Sequence, residues 1–253
     1  MAQVTRRDFV KKAAVGATTV SMAGILAACA GDTKSGNAGA SGGSTEGSTS
    51  GVLSPTSVPS ADSASNFNIM SGSTTAVGST YDNLCSAIAG ETGASAKYAA
   101  FAEAAKKEGF PQLARLFTCT SDAEKIHIEL EFALASKMDS STTRPTAPAA
   151  TAHETDINLI MGASGEMYET SDMYPSFIKK AQDEGESEAV QIFTRAKLAE
   201  AYHAERYLNA YNTIDTPDDD KYYLCPVCGY IHKGEAFTAC PVCLTAKSAF
   251  KAY

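Results

Sequence analysis

Apolar residues recur at helical spacing from Tyr81 to about Thr213, and their pattern occurs twice within that stretch. The first half contains NLCSAIAGE, YAAF, KKEG, LF and AEKIH in order, and the second contains NLIMGASGE, YPSF, QDEG, IF and AEAYH. Two helical hairpins with the same internal layout predict a pseudo-symmetric four-helix bundle. Six residue pairs are each separated by 76 positions: Tyr98 with Tyr174, Phe101 with Phe177, Gly109 with Gly185, Phe117 with Phe193, Glu124 with Glu200, and His127 with His203.

Turn and loop signals place the ends of these helices. An EG pair ending at Gly109 or Gly185 supplies the turn within each hairpin, and Pro111 suits the first turn of the helix that follows. The polar segment 139–154, DSSTTRPTAPAATAHE, separates the two halves. Sixteen extended residues reach about 50 Å, whereas a helix of 27 residues is about 40 Å long. This segment can therefore run the length of the bundle, as a ferritin-like topology requires.

The two halves differ in length by one residue at one place. Glu91 precedes Tyr98 by seven positions, whereas Glu166 precedes Tyr174 by eight. A residue inserted into a helix without breaking it is commonly absorbed as a π-bulge, which often marks a functional site. The third helix of the bundle is therefore predicted to contain a π-bulge between Glu166 and Tyr174.

Two Glu-x-x-His motifs lie at matching positions of the repeat, and each follows a GE pair about 33 residues upstream. Residues three apart share a helix face, so each motif presents a carboxylate beside an imidazole. One such motif alone would be compatible with a solvated face, but two matching copies favour a di-iron or di-manganese site in the bundle core. Four glutamates buried there without metal would be very costly. The predicted ligands are Glu91, Glu124, His127, Glu166, Glu200 and His203.

Four of the seven cysteines form two CxxC pairs near the end of the chain, at Cys225, Cys228, Cys240 and Cys243. This spacing is typical of metal knuckles rather than of a disulfide framework. Residues from Lys221 onward are too few for an apolar core of their own, so this unit needs its metal to fold. Spacing alone leaves zinc and iron both open. Cys85 and Cys119 lie within helical patterns and are interpreted as small buried hydrophobic residues.

The N-terminal residues 1–29 have the features of an export signal. TRRDFVKK is similar to a twin-arginine signal, and the apolar run after it ends in the lipobox-like Leu26-Ala27-Ala28-Cys29. Cys29 is the predicted lipidation site, and a plain signal-peptidase site at the same small residues is the alternative. Residues 30–80, rich in Gly, Ser and Thr, are predicted to form a flexible tether. The net charge of −8, without a basic block beyond the N-terminus, excludes nucleic acid as an expected partner.

The chain from Tyr81 to about Phe250 resembles a rubrerythrin, in which a ferritin-like di-iron domain precedes a rubredoxin-like domain. The resemblance predicts an all-α ferritin-like four-helix bundle at 81–214 and a small metal-knuckle domain at 221–253. It implies that the six ligands above bind two irons and that Glu169 is a further ligand, exchanging with a histidine as the irons change oxidation state. It also implies that Tyr98 and Tyr174 line the di-iron pocket, although either could be an ordinary core aromatic residue.

The same resemblance implies a peroxidase of oxidative-stress defence that reduces hydrogen peroxide to water. An iron in the four-cysteine site, where zinc remains the alternative, would return electrons one at a time. No dinucleotide-binding glycine motif is present, so an external electron-donor protein is expected. A homodimer and a membrane-anchored lipoprotein facing the periplasm or the cell exterior are also expected. The alternatives are an oxygen-reducing ferroxidase and a metal-storing or electron-carrier lipoprotein without peroxidase activity.

Overall fold

The computed structural model of the protein describes residues 73–216 and 218–253. The twin-arginine signal, the lipidation site Cys29 and residues 30–72 of the predicted tether lie outside the described residues. The last residues assigned to that tether contact the bundle. The Ser73 hydroxyl donates a hydrogen bond to Asp172, and Thr75 Oγ1 lies 2.9 Å from the Tyr168 hydroxyl. Residues 73–79 therefore belong structurally to the folded domain.

The predicted four-helix bundle is confirmed. Its helices are α1 (Thr80–Glu108), α2 (Pro111–Met138), α3 (Thr155–Tyr168) continued by a π-helical turn (Glu169–Met173) and α4 (Tyr174–Glu184), and α5 (Ser187–Asn212).

Both hairpin turns form at the predicted glycines. Gly109 and Gly185 end their helices with φ of 87° and 77°, a left-handed conformation that glycine adopts without a steric penalty. Pro111 is the first residue of α2, where its missing N–H costs nothing. Local sequence signals therefore determine where each hairpin reverses.

The connection between the two hairpins, residues 139–154, follows the full length of α1. Near its start, the Thr142 side chain lies 3.0 Å from the hydroxyl of Tyr81, at the beginning of α1. Just past its end, the Thr155 N–H donates a 3.0 Å hydrogen bond to Glu108, the last residue of α1. The predicted long crossover of the ferritin-like topology is thereby confirmed.

The bundle buries two apolar clusters, and each contains a repeat-related aromatic pair. The ring centroids of Phe101 and Phe117 are 5.4 Å apart in one cluster, and those of Phe177 and Phe193 are 5.6 Å apart in the other. Aromatic pairs at such distances stabilise a core beyond the area that they bury. The internal repeat of the sequence is therefore a repeat of packing.

The C-terminal unit is a small antiparallel sheet of order β2-β1-β3. Its strands are β1 (Tyr222–Leu224), β2 (Ile231–Lys233) and β3 (Lys251–Ala252), with a 3₁₀ turn at Lys247–Ala249. The two CxxC pairs lie in the loops that follow β1 and β2. With so few residues in strands, the loops depend on a further cross-link to hold their shape.

This unit packs against the bundle of its own chain. Leu224 and Ile231 join the apolar cluster that contains Phe101. At the edge of the contact, Asp122 of α2 accepts hydrogen bonds from Lys251 at 2.9 Å and from the Tyr253 hydroxyl at 2.5 Å. Among residues 73–216 and 218–253, no helix combines the length and the apolar character needed to cross a bilayer.

Candidate metal centres

The six predicted ligands of the bundle converge in its interior. Each is at most 1% exposed. Helix α1 supplies Glu91, the α3 segment supplies Glu166, and α2 and α5 each supply one Glu-x-x-His motif. Their ligand atoms form two groups, and within each group all of these atoms lie within 4.8 Å of one another. The groups are Glu91, Glu124, His127, Glu200 and Glu124, Glu166, Glu200, His203.

Glu124 and Glu200 belong to both groups and direct one oxygen to each. For Glu200, Oε1 lies 2.7 Å from Nδ1 of His127 and Oε2 lies 2.6 Å from Nδ1 of His203. For Glu124, Oε2 lies 3.1 Å from His127 Nδ1 and Oε1 lies 3.8 Å from His203 Nδ1. Two carboxylates shared in this way can bridge two metal ions, with Glu91 and Glu166 as the terminal carboxylates.

The unsatisfied polar atoms of this cluster fit a pair of cations. Among the described residues, both carboxylate oxygens of Glu124, Glu166 and Glu200 lack a hydrogen-bond partner. The Nδ1 atoms of His127 and His203 lack one as well. A buried carboxylate without a hydrogen bond or a counter-charge would be very costly. Metal ions supply the missing partners for all of these atoms at once, and the mixture of carboxylate and imidazole suits iron.

Burial and the neighbouring charges shift the pKa values of the cluster in opposite directions. Burial, reinforced by neighbouring carboxylates, raises the pKa of Glu91 and Glu166 well above the usual range. Burial also acts to raise the pKa of Glu200, but the facing imidazoles of His127 and His203 outweigh it and lower that pKa. Without metal the cluster therefore retains protons, which binding of metal must displace.

The predicted π-bulge is confirmed as the π-helical turn Glu169–Met173. Glu169 is its first residue and is partly buried. Burial, followed by the charges of Glu200 and Glu124, raises the pKa of Glu169 to about 8. Glu169 lies outside both groups of converging ligand atoms. It is close enough to interact electrostatically with the cluster, and its role as an exchanging ligand stays a prediction.

The two predicted pocket tyrosines have different surroundings. The Tyr174 hydroxyl donates a hydrogen bond to Glu91 and lies 3.0 Å from Oε1 of Glu131. Tyr98 is buried in an aromatic cluster, with its ring centroid 5.4 Å from that of Tyr207, and Lys97 Nζ lies 4.7 Å from the Tyr98 centroid. Burial raises the pKa of both Tyr98 and Tyr174 well above 10.0. Of the two tyrosines, Tyr174 is the one whose hydroxyl contacts a predicted metal ligand, Glu91.

Glu131 is a site residue that the sequence analysis missed. It lies four positions after His127, so the two share a face of α2. The repeat-related position is Tyr207, so the comparison between halves that revealed the other carboxylates gave no signal here. The one sequence signal for Glu131 was its place on the buried face of α2, one helical turn beyond a Glu-x-x-His motif.

The four cysteines of the two CxxC pairs come together as predicted. The sulfurs of Cys225 and Cys243 are 3.5 Å apart, as are those of Cys228 and Cys240, and all four lie within 4.8 Å of one another. A tetrahedral ion with metal–sulfur bonds of about 2.3 Å separates its sulfurs by about 3.8 Å. No disulfide links the cysteines of the described residues, and Cys85 and Cys119 are buried as predicted.

The backbone between Cys228 and Gly229 joins the two sites. Nε2 of His127 lies 3.1 Å from the carbonyl oxygen of Cys228, and Nε2 of His203 lies 2.8 Å from that of Gly229. A carbonyl only accepts, so both Nε2 atoms carry the hydrogen and both Nδ1 atoms are free to bind metal. The loop that contains Cys228 and Gly229 thereby fixes the tautomer of both metal-facing imidazoles. The sequence alone did not predict this contact.

Comparisons with known proteins agree with this geometry. Residues 82–211 match the family Rubrerythrin, and residues 223–251 match the family Rubrerythrin, rubredoxin-like domain. The chain is 62% identical over 196 residues to nigerythrin of Nitratidesulfovibrio vulgaris, covering 78% of this chain and 97% of the relative. It is 34% identical over 178 residues to rubrerythrin of the same organism, covering 68% and 93%. A structure of nigerythrin in a fully reduced, all-ferrous state has a TM-score of 0.74 at 61% identity, covering 78% and 97%.

Proposed function

The chain belongs to the rubrerythrin family, with a di-iron site in a ferritin-like bundle and a rubredoxin-like four-cysteine site, and on that premise we propose that it reduces hydrogen peroxide to water. The observation that carries the proposal is the contact between the two sites. His127 is hydrogen-bonded to the backbone of Cys228, whose sulfur belongs to the second metal site. A storage protein has no need of such a connection, whereas a site that is repeatedly oxidised must be reduced again.

The proposed reaction cleaves the O–O bond of one peroxide molecule, with two electrons and two protons entering and two water molecules leaving. When bound, the two irons supply the electrons and act as Lewis acids. Glu124 and Glu200 would each bind both ions, and His127 and His203 would each supply one imidazole. Tyr174 donates a hydrogen bond to Glu91 and so orients that carboxylate.

Glu169 supports peroxide rather than oxygen as the oxidant. It lies in the π-helical turn beside the cluster, and the first half of the repeat has Ala94 at the corresponding place. Since the π-helical turn interrupts the regular α-helical ladder, its backbone is a place where a side chain can change its position. We expect Glu169 to approach or leave the metals as their charge changes.

Electrons would reach the four-cysteine site from a donor protein. Cys243 is the partly exposed ligand, and beside it Leu244 is 80% exposed. Val227, in the other knuckle, is 40% exposed. Apolar side chains beside a metal-binding cysteine suit brief contact with a second protein. Iron rather than zinc is the proposed occupant, because only iron changes its oxidation state.

We also propose that the protein is exported in the folded state and anchored through Cys29, and that it acts as a homodimer. Metal and thiolates loaded in the cytoplasm would escape oxidation to disulfides during export. In the dimer, two chains that exchange their C-terminal units would reproduce the same contacts with His127 and His203. Sedimentation of the full chain tests the dimer, and a monomer at all concentrations contradicts it.

The deciding experiment mixes the reduced, iron-loaded full chain anaerobically with hydrogen peroxide and, separately, with oxygen. We expect peroxide to reoxidise the di-iron site much faster, and faster reoxidation by oxygen would overturn the proposal in favour of a ferroxidase. Glu169→Ala should retain both metals and slow the peroxide reaction about tenfold or more. Glu103→Ala, an exposed change on α1, is the matched control. Metal analysis of the same preparation distinguishes iron from zinc in the four-cysteine site.

A further inference from the structure

Glu131 is a buried carboxylate beside the di-iron site that the six ligands do not explain. Its exposure is 0%, and it lies on α2 one helical turn beyond His127. The side chains of that region, including Ile128 and Leu134, form an apolar cluster. Among the described residues, Oε2 of Glu131 has no hydrogen-bond partner, while Oε1 lies 3.0 Å from the Tyr174 hydroxyl. An ionised carboxylate in these surroundings would be costly.

The contacts of the Tyr174 hydroxyl bear on where the proton of Glu131 lies. The Tyr174 hydroxyl has one hydrogen but contacts two carboxylates, Glu91 and Glu131. Ionised carboxylates only accept, so two of them cannot share a single hydroxyl hydrogen without one repulsive contact. Glu91 must be ionised to bind metal, so the additional proton belongs on Glu131. Burial raises the pKa of Glu131 to about 8, in agreement with this count.

The internal repeat shows that the bundle does not require a carboxylate at this place. Tyr174 and Tyr98 are repeat-related, and so are Glu131 and Tyr207. In the other half the space is filled by the buried ring of Tyr207, which packs 5.4 Å from the Tyr98 ring. Packing alone is therefore satisfied by an aromatic residue, and the carboxylic acid of Glu131 serves another purpose.

We propose that Glu131 is a positioning residue, which stays protonated and donates to Tyr174 so that Tyr174 in turn donates to Glu91. The chain Glu131–Tyr174–Glu91 then orients one terminal ligand of the metal position that Glu91 shares with His127. A neutral carboxylic acid held in an apolar site to donate a hydrogen bond is established chemistry. The inference rests on the metal site alone and holds whether peroxide or oxygen is the oxidant, so its failure is distinguishable from failure of the proposed function.

The first test measures binding of Co²⁺ to the metal-free full chain, in which the d–d absorption reports each occupied position. Glu131→Leu and Tyr174→Phe should each weaken the position of Glu91 and His127 about tenfold, as is typical when a partner of a ligand is removed. The other position should be unchanged. Glu131→Gln should bind as the unchanged protein does, because its amide N–H replaces the carboxylic acid as donor to Tyr174.

The double variant Glu131→Leu/Tyr174→Phe separates positioning from an independent effect. If Glu131 acts through Tyr174, the double variant should bind Co²⁺ no more weakly than either single variant. Additive losses, or a Glu131→Gln variant as weak as Glu131→Leu, would overturn the proposal.

A second measurement does not depend on the leucine variant folding. Infrared spectra of the metal-loaded full chain should show the C=O stretch of a protonated carboxylic acid, which disappears in Glu131→Gln and shifts in Tyr174→Phe. If the unchanged protein lacks a protonated-acid band that Glu131→Gln removes, the proposal fails.

Discussion

Replacing Gly229 by alanine should separate the two metal sites while leaving both intact. Gly229 has a φ of +74°, and a Cβ built on it would lie 2.4 Å from Nε2 of His127 and 3.1 Å from its Cδ2 and Cε1. Both the backbone conformation and the space therefore require glycine. Nδ1 of His127 would bind metal on the other side of the imidazole ring, so the loop around Gly229 is the part that must move.

The size of the effect follows from these distances. Ordinary carbon contacts begin at about 3.5 Å, so the knuckle must retreat by about 1 Å. The hydrogen bonds from His127 to Cys228, now 3.1 Å, and from His203 to Gly229, now 2.8 Å, would both stretch beyond bonding distance. Two lost hydrogen bonds cost about 1–3 kcal/mol, and a non-glycine residue in the left-handed region adds about 1–2 kcal/mol.

Electron transfer between the sites is the quantity to measure. The four-cysteine iron is reduced anaerobically, peroxide is added, and the return of ferric tetrathiolate absorption is followed in the stopped-flow spectrometer. We expect Gly229→Ala to slow this phase substantially, while reoxidation of the di-iron site itself keeps its rate. Gly234→Ala is the matched control, because Gly234 also has a positive φ, +81°, but its nearest neighbouring atom, Asp220 Oδ2, is 4.0 Å away.

A Gly229→Ala protein that loads both metals and returns electrons at the unchanged rate would refute the reasoning, because the close backbone contact would then not be the route. Equal slowing in Gly234→Ala would also refute it, since backbone strain alone would explain the result.

Two further predictions concern pH and export. Burial raises the pKa of both Glu131 and Glu169 to about 8, above their unfolded values. Their protonation therefore contributes fully to the free energy of unfolding below pH 4.5, and this contribution is lost as pH rises toward 8. Thermal unfolding of the metal-free chain should show that the free energy of unfolding falls by about 1.4 kcal/mol per pH unit from the fully buried Glu131 alone. A free energy of unfolding that stayed constant or rose between pH 5 and 8 would contradict this. Changing both arginines of residues 6–7 to lysine should retain iron-loaded protein in the cytoplasm, and metallated protein still found outside the cell would indicate an ordinary signal.

The repeat explains how much of the bundle was predictable. Glu124 and Glu200 were predicted as ligands because they occupy matching positions of two similar hairpins, and a repeated carboxylate is stronger evidence than a single one. The one-residue difference before Tyr174 predicted the π-helical turn for the same reason. Helical periodicity is a local property, so the sequence contains the information directly.

Contacts between distant segments were not predictable in this way. Tyr174 meets Glu131 from another helix, 43 residues away in the chain, and His127 meets Cys228 across 101 residues. Such contacts depend on how helices rotate and on where the C-terminal unit packs, which no local pattern encodes. Glu131 has no carboxylate counterpart in the other half, so the repeat did not reveal it either.

The π-helical turn also bears on the history of a duplicated chain. A helix absorbs one extra residue as a π-helical turn, so the faces on either side of the turn stay aligned. Tyr98, which follows Glu91 by only seven positions, still lies near Glu166, just as Tyr174 contacts Glu91. A single deletion that restored the symmetry of the two halves would therefore leave Tyr174 facing Glu91 and would remove only the π-helical turn that begins at Glu169. The asymmetry between the halves is thus confined to the backbone around Glu169.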